Sequence, residues 1–158
     1  MAYHISRDGA TVRLPDTKTP RPIKPTPPNT IVFVYGTLRP AVNRWDVSPK
    51  QVARATLYGH RMHDLGAFPA ITPSTPESFV VGDLVEATPA ELARMDRIEG
   101  VPHHYKSEPV NVHTADGEWV EAVAYVYANP ERIGNRPIIV DWVEHALGKN
   151  MFEEVDHV

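Results

Sequence analysis

Cysteine is absent from the 158-residue chain. That excludes disulfides, thiolate nucleophiles and cysteine-based zinc or iron–sulfur sites, and it fits a reducing compartment. Long apolar runs are missing too: none approaches the roughly 18 residues of a membrane-spanning helix. The N-terminus has no apolar core segment or small-residue cleavage site of the secretory type. Positive charge is not in excess. Sixteen Lys and Arg face 20 Asp and Glu, for a net charge of −4, without the footprint of phosphate-backbone binding. There is no G-x-S-x-G, P-loop, G-x-G-x-x-G or H-E-x-x-H motif. The expectation is a cytoplasmic protein with no nucleic acid, membrane, metal or cofactor among its partners. The sequence gives no reading of oligomeric state.

Ordinary globular composition is what remains, with 42% of residues in the AVILMFWYC set and 23% charged, and the length suits one domain. Residues 1–29 differ from the rest. Pro15, Pro20, Pro22, Pro25, Pro27 and Pro28 fall there, with five basic and two acidic residues. Proline fixes φ and removes donors, so the segment reads as an extended arm. The folded domain is expected over 30–150, and Glu153, Glu154 and Asp156 mark residues 151–158 as an acidic tail.

Ile31–Tyr35 is an apolar, β-branched and aromatic run that ends at Gly36, which reads as a buried strand entering a turn. Ala53–Gly59 and Phe79–Glu86 are further strands. Val110–His113 and Trp119–Tyr127 flank the Asp116-Gly117 hairpin signal. Both alternating sets of the last strand are mostly apolar, so it should be central. A helix is expected from Pro89 to Glu99, with Thr88 as N-cap, Glu91 completing a capping box, and Gly100 as the stop. A second is expected near Ile138–Leu147, with Trp142 as a core anchor and Gly148 as its stop. The class is α+β: a compact, mainly antiparallel β sheet or small barrel with a few short flanking helices.

Two places break the pattern. Leu92 and Met95 define the buried face of the first helix, and Glu99 returns to that face seven residues after Leu92. A carboxylate at the negative helix end beside apolar groups has its pKa pushed upward, which suits proton transfer in both directions. The alternative is a Glu that pairs with a nearby Arg or frays into solvent. The second place is Tyr35-Gly36-Thr37-Leu38-Arg39-Pro40, where a buried strand stops abruptly at glycine. Backbone N–H groups in such a turn can cradle an anion; equally, the glycine can serve the turn alone.

Taken together, these segments resemble the γ-glutamylcyclotransferase-like family, which includes AIG2-like and BtrG-like branches. Val32–Arg39 resembles its opening signature. Met95–Gly100 followed by Tyr105 resembles its second, and Gly66–Ala70, Val81–Val85 and Ala122–Tyr127 resemble further segments, all in family order. The resemblance implies a compact β barrel-like fold. It implies a substrate-binding turn at Tyr35, Gly36, Thr37 and Leu38, a catalytic acid/base at Glu99, and a pocket tyrosine at Tyr105. The implied substrate is a small γ-glutamyl amide that cyclises to 5-oxoproline and releases an amine, with no cofactor or metal. A non-catalytic small-ligand binding module on the same scaffold is the alternative. Eight histidines do not change this: His60 and His63 are three apart, and the adjacent His103 and His104 border the expected pocket at most. Tyr125 and Tyr127 share one strand face, as core packing or as a pocket wall.

Overall fold

The structure is a computed structural model that describes residues 3–5, 11–13 and 23–148. Two short strands, β1 (Tyr3–Ile5) and β2 (Thr11–Arg13), pair antiparallel with each other inside the proline-rich arm. Pro15, Pro20, Pro22 and the acidic tail lie outside the described residues. The arm's end is tied to the domain, where Ile23 N donates to Glu118 Oε1 at 2.8 Å and Asn29 Nδ2 to Glu86 Oε2 at 2.9 Å.

The remaining elements are β3 (Thr30–Val34), β4 (Lys50–Tyr58), β5 (His60–Asp64), β6 (Pro69–Pro73), β7 (Phe79–Ala87), α1 (Pro89–Ile98), β8 (Tyr105–Thr114), β9 (Trp119–Tyr127), a single 3-10 turn at Pro130–Arg132, β10 (Ile138–Ile139) and a helix α2 over 142–148. Five strands close into a barrel-like ring in the order β3-β7-β4-β8-β9. Its pairings are antiparallel except β3 with β9, which closes the ring in parallel. A second sheet, β10-β5-β6, flanks it.

Strand periodicity explains how β3 and β9 serve two cores. Ile31, Phe33 and Tyr35 enter one apolar cluster with Val120, Ala122, Ala124 and Val126. Val32 and Val34 enter a second with Met95, Tyr105 and Tyr125. Both faces are covered, so both alternating sets must be apolar. Trp142 of α2 is buried in the first cluster. Among the described residues, no helix is long and apolar enough to cross a membrane.

Three expectations need correction. Ile138 and Ile139 are not helical. They pair with His63 and Met62 of β5, and the helix begins only at 142, after Asp141 caps it by accepting from Glu144 N at 3.1 Å. Gly148 does not stop that helix; it is still helical. β8 is longer than Val110–His113 and starts at Tyr105. Its polar first half includes Pro109. It is tolerated because β4 pairs only with His113 and Thr114, so among the described residues that edge of β8 has no strand beside Pro109.

Candidate active site

Helix α1 presents Glu99 by its two ends. At the start, Thr88 Oγ1 accepts from Glu91 N at 3.2 Å, and Glu91 Oε1 accepts from Thr88 N at 3.0 Å, which is the full capping box. At the finish, Gly100 sits at φ +64°, its N–H donates to Arg97 O at 3.1 Å, and Val101 N donates to Asp96 O at 3.0 Å. These two bonds form a Schellman closure with Glu99 as the C-cap. Met95 is fully buried between them. A Cβ on Gly100 would lie 2.6 Å from His104 Cδ2. Gly100→Ala is therefore expected to cost about 1–2 kcal/mol, from left-handed backbone strain alone. Urea unfolding checks it; an unchanged midpoint would contradict the closure.

The turn after β3 is a four-residue β-turn, with Arg39 N donating to Gly36 O at 3.0 Å. The amides of its central residues, Thr37 and Leu38, donate to no acceptor among the described residues. Gly36 is required by packing: a Cβ there would lie 2.7 Å from Pro69 Cγ. Pro69 in turn accepts from the Tyr105 hydroxyl at 2.8 Å through its carbonyl. So the turn, the 66–70 segment and β8 hold one another.

Arg39 anchors the turn from behind. It is 1% exposed; its Nε meets Asp83 Oδ2 at 2.8 Å and its Nη1 meets Asp141 Oδ1 at 2.7 Å. Gln51 Nε2 donates to the other oxygen of Asp83 at 3.0 Å. Strand β7 and the cap of α2 are thereby fastened to the turn.

These pieces enclose a cavity of about 460 Å³. Tyr35, Gly36, Thr37, Leu38, Glu99 and Tyr105 all line it, so the structure brings together every site residue that the resemblance indicated. Glu99 is half-buried, and among the described residues no Arg pairs with it: Arg94 binds Asp46 at 2.8 Å instead. Among the described residues its carboxyl makes no hydrogen bond or ion pair, and desolvation pushes its pKa up to about 7. Burial, with added repulsion from Glu99, also raises Tyr105, so its hydroxyl stays protonated.

Further residues complete the lining, and of these Phe33, Trp45, Phe68 and Pro69 were not anticipated as pocket residues. Tyr125 and Tyr127 take the pocket-wall position, and Tyr125 is also core. Phe33 and Pro69 lie deeper, while Trp45 and Phe68, 45% and 44% exposed, flank the mouth. Trp45 comes from a polar loop that no periodicity marks. Asn43 holds this loop by accepting from Trp45 N at 2.8 Å and donating to Val47 O at 2.9 Å, and Trp45 Nε1 donates to Thr37 Oγ1 at 3.2 Å. His104 lines the mouth, whereas His103 does not. Among the described residues, no three His, Asp or Glu side chains are disposed to hold a metal ion.

Residues 32–144 match the family model described as γ-glutamyl cyclotransferase, AIG2-like. The chain belongs to this family. A protein of Methanocaldococcus jannaschii, provisionally named a γ-glutamylcyclotransferase, is 29% identical over 108 residues, covering 65% of this chain and 87% of its own. The crystal structure of an AIG2-like protein from Mus musculus superposes with a TM-score of 0.60 at 21% identity, covering 72% of this chain and 88% of that one. A solution structure from Arabidopsis thaliana gives a TM-score of 0.60 at 26% identity, over 85% and 84% of the two chains. In this AIG2-like γ-glutamyl cyclotransferase family member, the matched span holds all the lining residues named above.

Proposed function

We propose that the protein is a γ-glutamyl cyclotransferase-type enzyme. It converts a γ-glutamyl amide into 5-oxoproline and a free amine, with Glu99 as general acid/base and no metal or cofactor. The observation that carries this reading is a carboxyl with a pKa of about 7 that has no ion-pair partner among the described residues, in the same cavity as the Thr37 and Leu38 amides, which bond no acceptor among them.

The substrate brings its own nucleophile. Its α-nitrogen attacks the γ-carbonyl carbon, a five-membered ring closes, and the bond to the amide nitrogen breaks. Between ammonium and lactam the α-nitrogen loses two protons. Between amide and free ammonium the leaving nitrogen gains two. One carboxylate that passes each proton across ends in its starting state. The transient negative charge on the carbonyl oxygen, or the α-carboxylate, is held by the Thr37 and Leu38 amides in the cradle Tyr35–Leu38. Folding the flexible chain so that the amine meets the carbonyl supplies a large part of the rate.

The test is 5-oxoproline release, read by mass spectrometry, from γ-glutamyl amides of amino acids, of simple amines and of the lysine side chain. Release by the wild type is expected. No release from any of them overturns the reading in favour of a ligand-binding module on this scaffold.

A further inference from the structure

Helix α2 reaches behind two walls of the cavity without lining either. Its cap Asp141 accepts from Arg39 Nη1 at 2.7 Å, and Arg39 ends the turn that begins at Gly36. One helical turn later, where His145 N donates to Asp141 O at 3.0 Å, the His145 side chain makes a second link. Its Nε2 donates to Asp64 Oδ2 at 2.7 Å. Asp64 is buried at the end of β5, and its other oxygen accepts from Gly66 N at 2.7 Å. Gly66 leads directly into Ala67, Phe68 and Pro69, which all line the cavity. Neither Asp64 nor His145 lines it, and His145 stands just beyond the residues 32–144 that match the family model.

The link has rigid ends. The His145 ring packs on Trp142, with centroids 5.9 Å apart, and Trp142 is buried in the first core cluster. Leu65 N donates to Phe68 O and Arg136 Nη1 to Leu65 O, both at 3.0 Å, so backbone bonds close the segment on itself. Gly66 has no side chain to anchor, so its amide is the handle by which Asp64 holds it. A carboxylate on a short side chain is fixed in its plane when both oxygens accept, one from Gly66 and one from the imidazole.

We propose that His145 is a positioning residue: through Asp64 and Gly66 it sets the segment 65–69, and with it the cavity wall made by Phe68 and Pro69. With Asp141 it makes α2 a strap between that wall and the turn that presents the Thr37 and Leu38 amides. Phe68 and Pro69 carry no proton-handling group, and Glu99 stands on α1. The strap therefore acts on how tightly a ligand is held and leaves the proton transfers alone. The effect on turnover rests on the cyclotransferase reading; the placement of the segment does not.

Two variants of the full chain carry the test, His145→Ala and His145→Gln. The glutamine amide nitrogen takes up nearly the place of imidazole Nε2 and can donate to Asp64 Oδ2, which alanine cannot. Hydrogen exchange at the Gly66 amide, followed by NMR, needs no substrate. His145→Ala should speed it by about tenfold or more, and His145→Gln should return it to within about threefold of wild type. With a γ-glutamyl amide that yields 5-oxoproline, His145→Ala should raise KM by about three- to tenfold and change kcat by less than about twofold, and His145→Gln should recover most of the KM. Unchanged Gly66 exchange in the alanine variant overturns the proposal. Equally fast exchange in both variants also overturns it, leaving His145 only its packing on Trp142. Faster exchange with an unchanged KM, or a fall in kcat at constant KM, overturns the role in ligand binding. If the wild type releases no 5-oxoproline, the cyclotransferase reading fails by itself, and the Gly66 amide still decides whether His145 sets the segment.

Discussion

Glu99→Gln is expected to lower 5-oxoproline formation by about 10²–10⁴-fold, the range for removing a general acid/base. Gln keeps the shape and cannot exchange protons at neutral pH. The fold should persist, because Glu99 is half-buried and makes no hydrogen bond or ion pair among the described residues that Gln would break. The wild-type pH profile gives the same group a second signature. Glu99 must be ionised to accept a proton from the α-ammonium, so kcat/KM should rise with pH through about 7, the free-enzyme value. A bound ammonium favours the carboxylate, so the corresponding limb in kcat should lie at lower pH. A Gln variant with wild-type turnover would remove Glu99 from the mechanism.

Stability should respond with a defined sign. The folded-state pKa of Glu99 is raised, from 4.5 to about 7, so the folded state binds this proton more tightly than the unfolded state. The contribution of the protonated form is fully present below pH 4.5 and is lost as pH rises through about 7. Above pH 7 the wild type therefore carries a desolvated carboxylate with no counter-ion among the described residues, and Glu99→Gln relieves it. Thermal melts should show the variant more stable than wild type at pH 8, with the difference vanishing near pH 4. A variant less stable at pH 8 would contradict the desolvated state of this carboxyl.

Arg39→Ala carries the second large effect, an expected loss of about 3–5 kcal/mol, the cost of breaking a buried charge network by removing one partner. Asp83, 3% exposed, would lose its 2.8 Å partner, and the cap residue Asp141 would lose its own at 2.7 Å. Arg54 is no replacement: it stands 3.9 Å from Asp83 on the exposed side. Arg39→Lys should recover only part, since a single ammonium cannot reach two carboxylates in the planar fork geometry of guanidinium. Urea unfolding measures both. A loss below about 1 kcal/mol, the worth of an exposed pair, would contradict the buried network. Since Arg39 ends the turn that presents the Thr37 and Leu38 amides, the Lys variant should also show a higher KM.

Local signals made the first helix and most ring strands legible. The capping box at Thr88 and the glycine at position 100 are adjacent-residue chemistry, so α1 appears with nearly its expected ends. β3 and β9 were legible because burial on both faces demands apolar residues at successive positions, 31–34 in β3 and 122–127 in β9. β5 and β6 were not, because Arg61, His63 and the terminal prolines interrupt the pattern, and the burial falls on Met62, Asp64, Pro69, Ala70 and Ile71. Ile138 and Ile139 were misread for a related reason. Two apolar residues next to a helical stripe satisfy helix periodicity until a partner strand claims them.

By itself the sequence determined a cysteine-free α+β chain, an abrupt glycine turn after a buried strand, and a carboxyl on the apolar face at a helix end. Each depends on covalent spacing and near neighbours. Only the tertiary structure decided that Arg94 bonds Asp46 and leaves Glu99 without a counter-ion among the described residues, that Trp45 reaches the cavity mouth, and that Tyr105 and Tyr125 direct their protons away to Pro69 and Asp96. The bonds of Arg94, Tyr105 and Tyr125 join residues 29 to 48 positions apart. Which partner a polar group finds at that range is set by how the ring closes, and no local pattern encodes it.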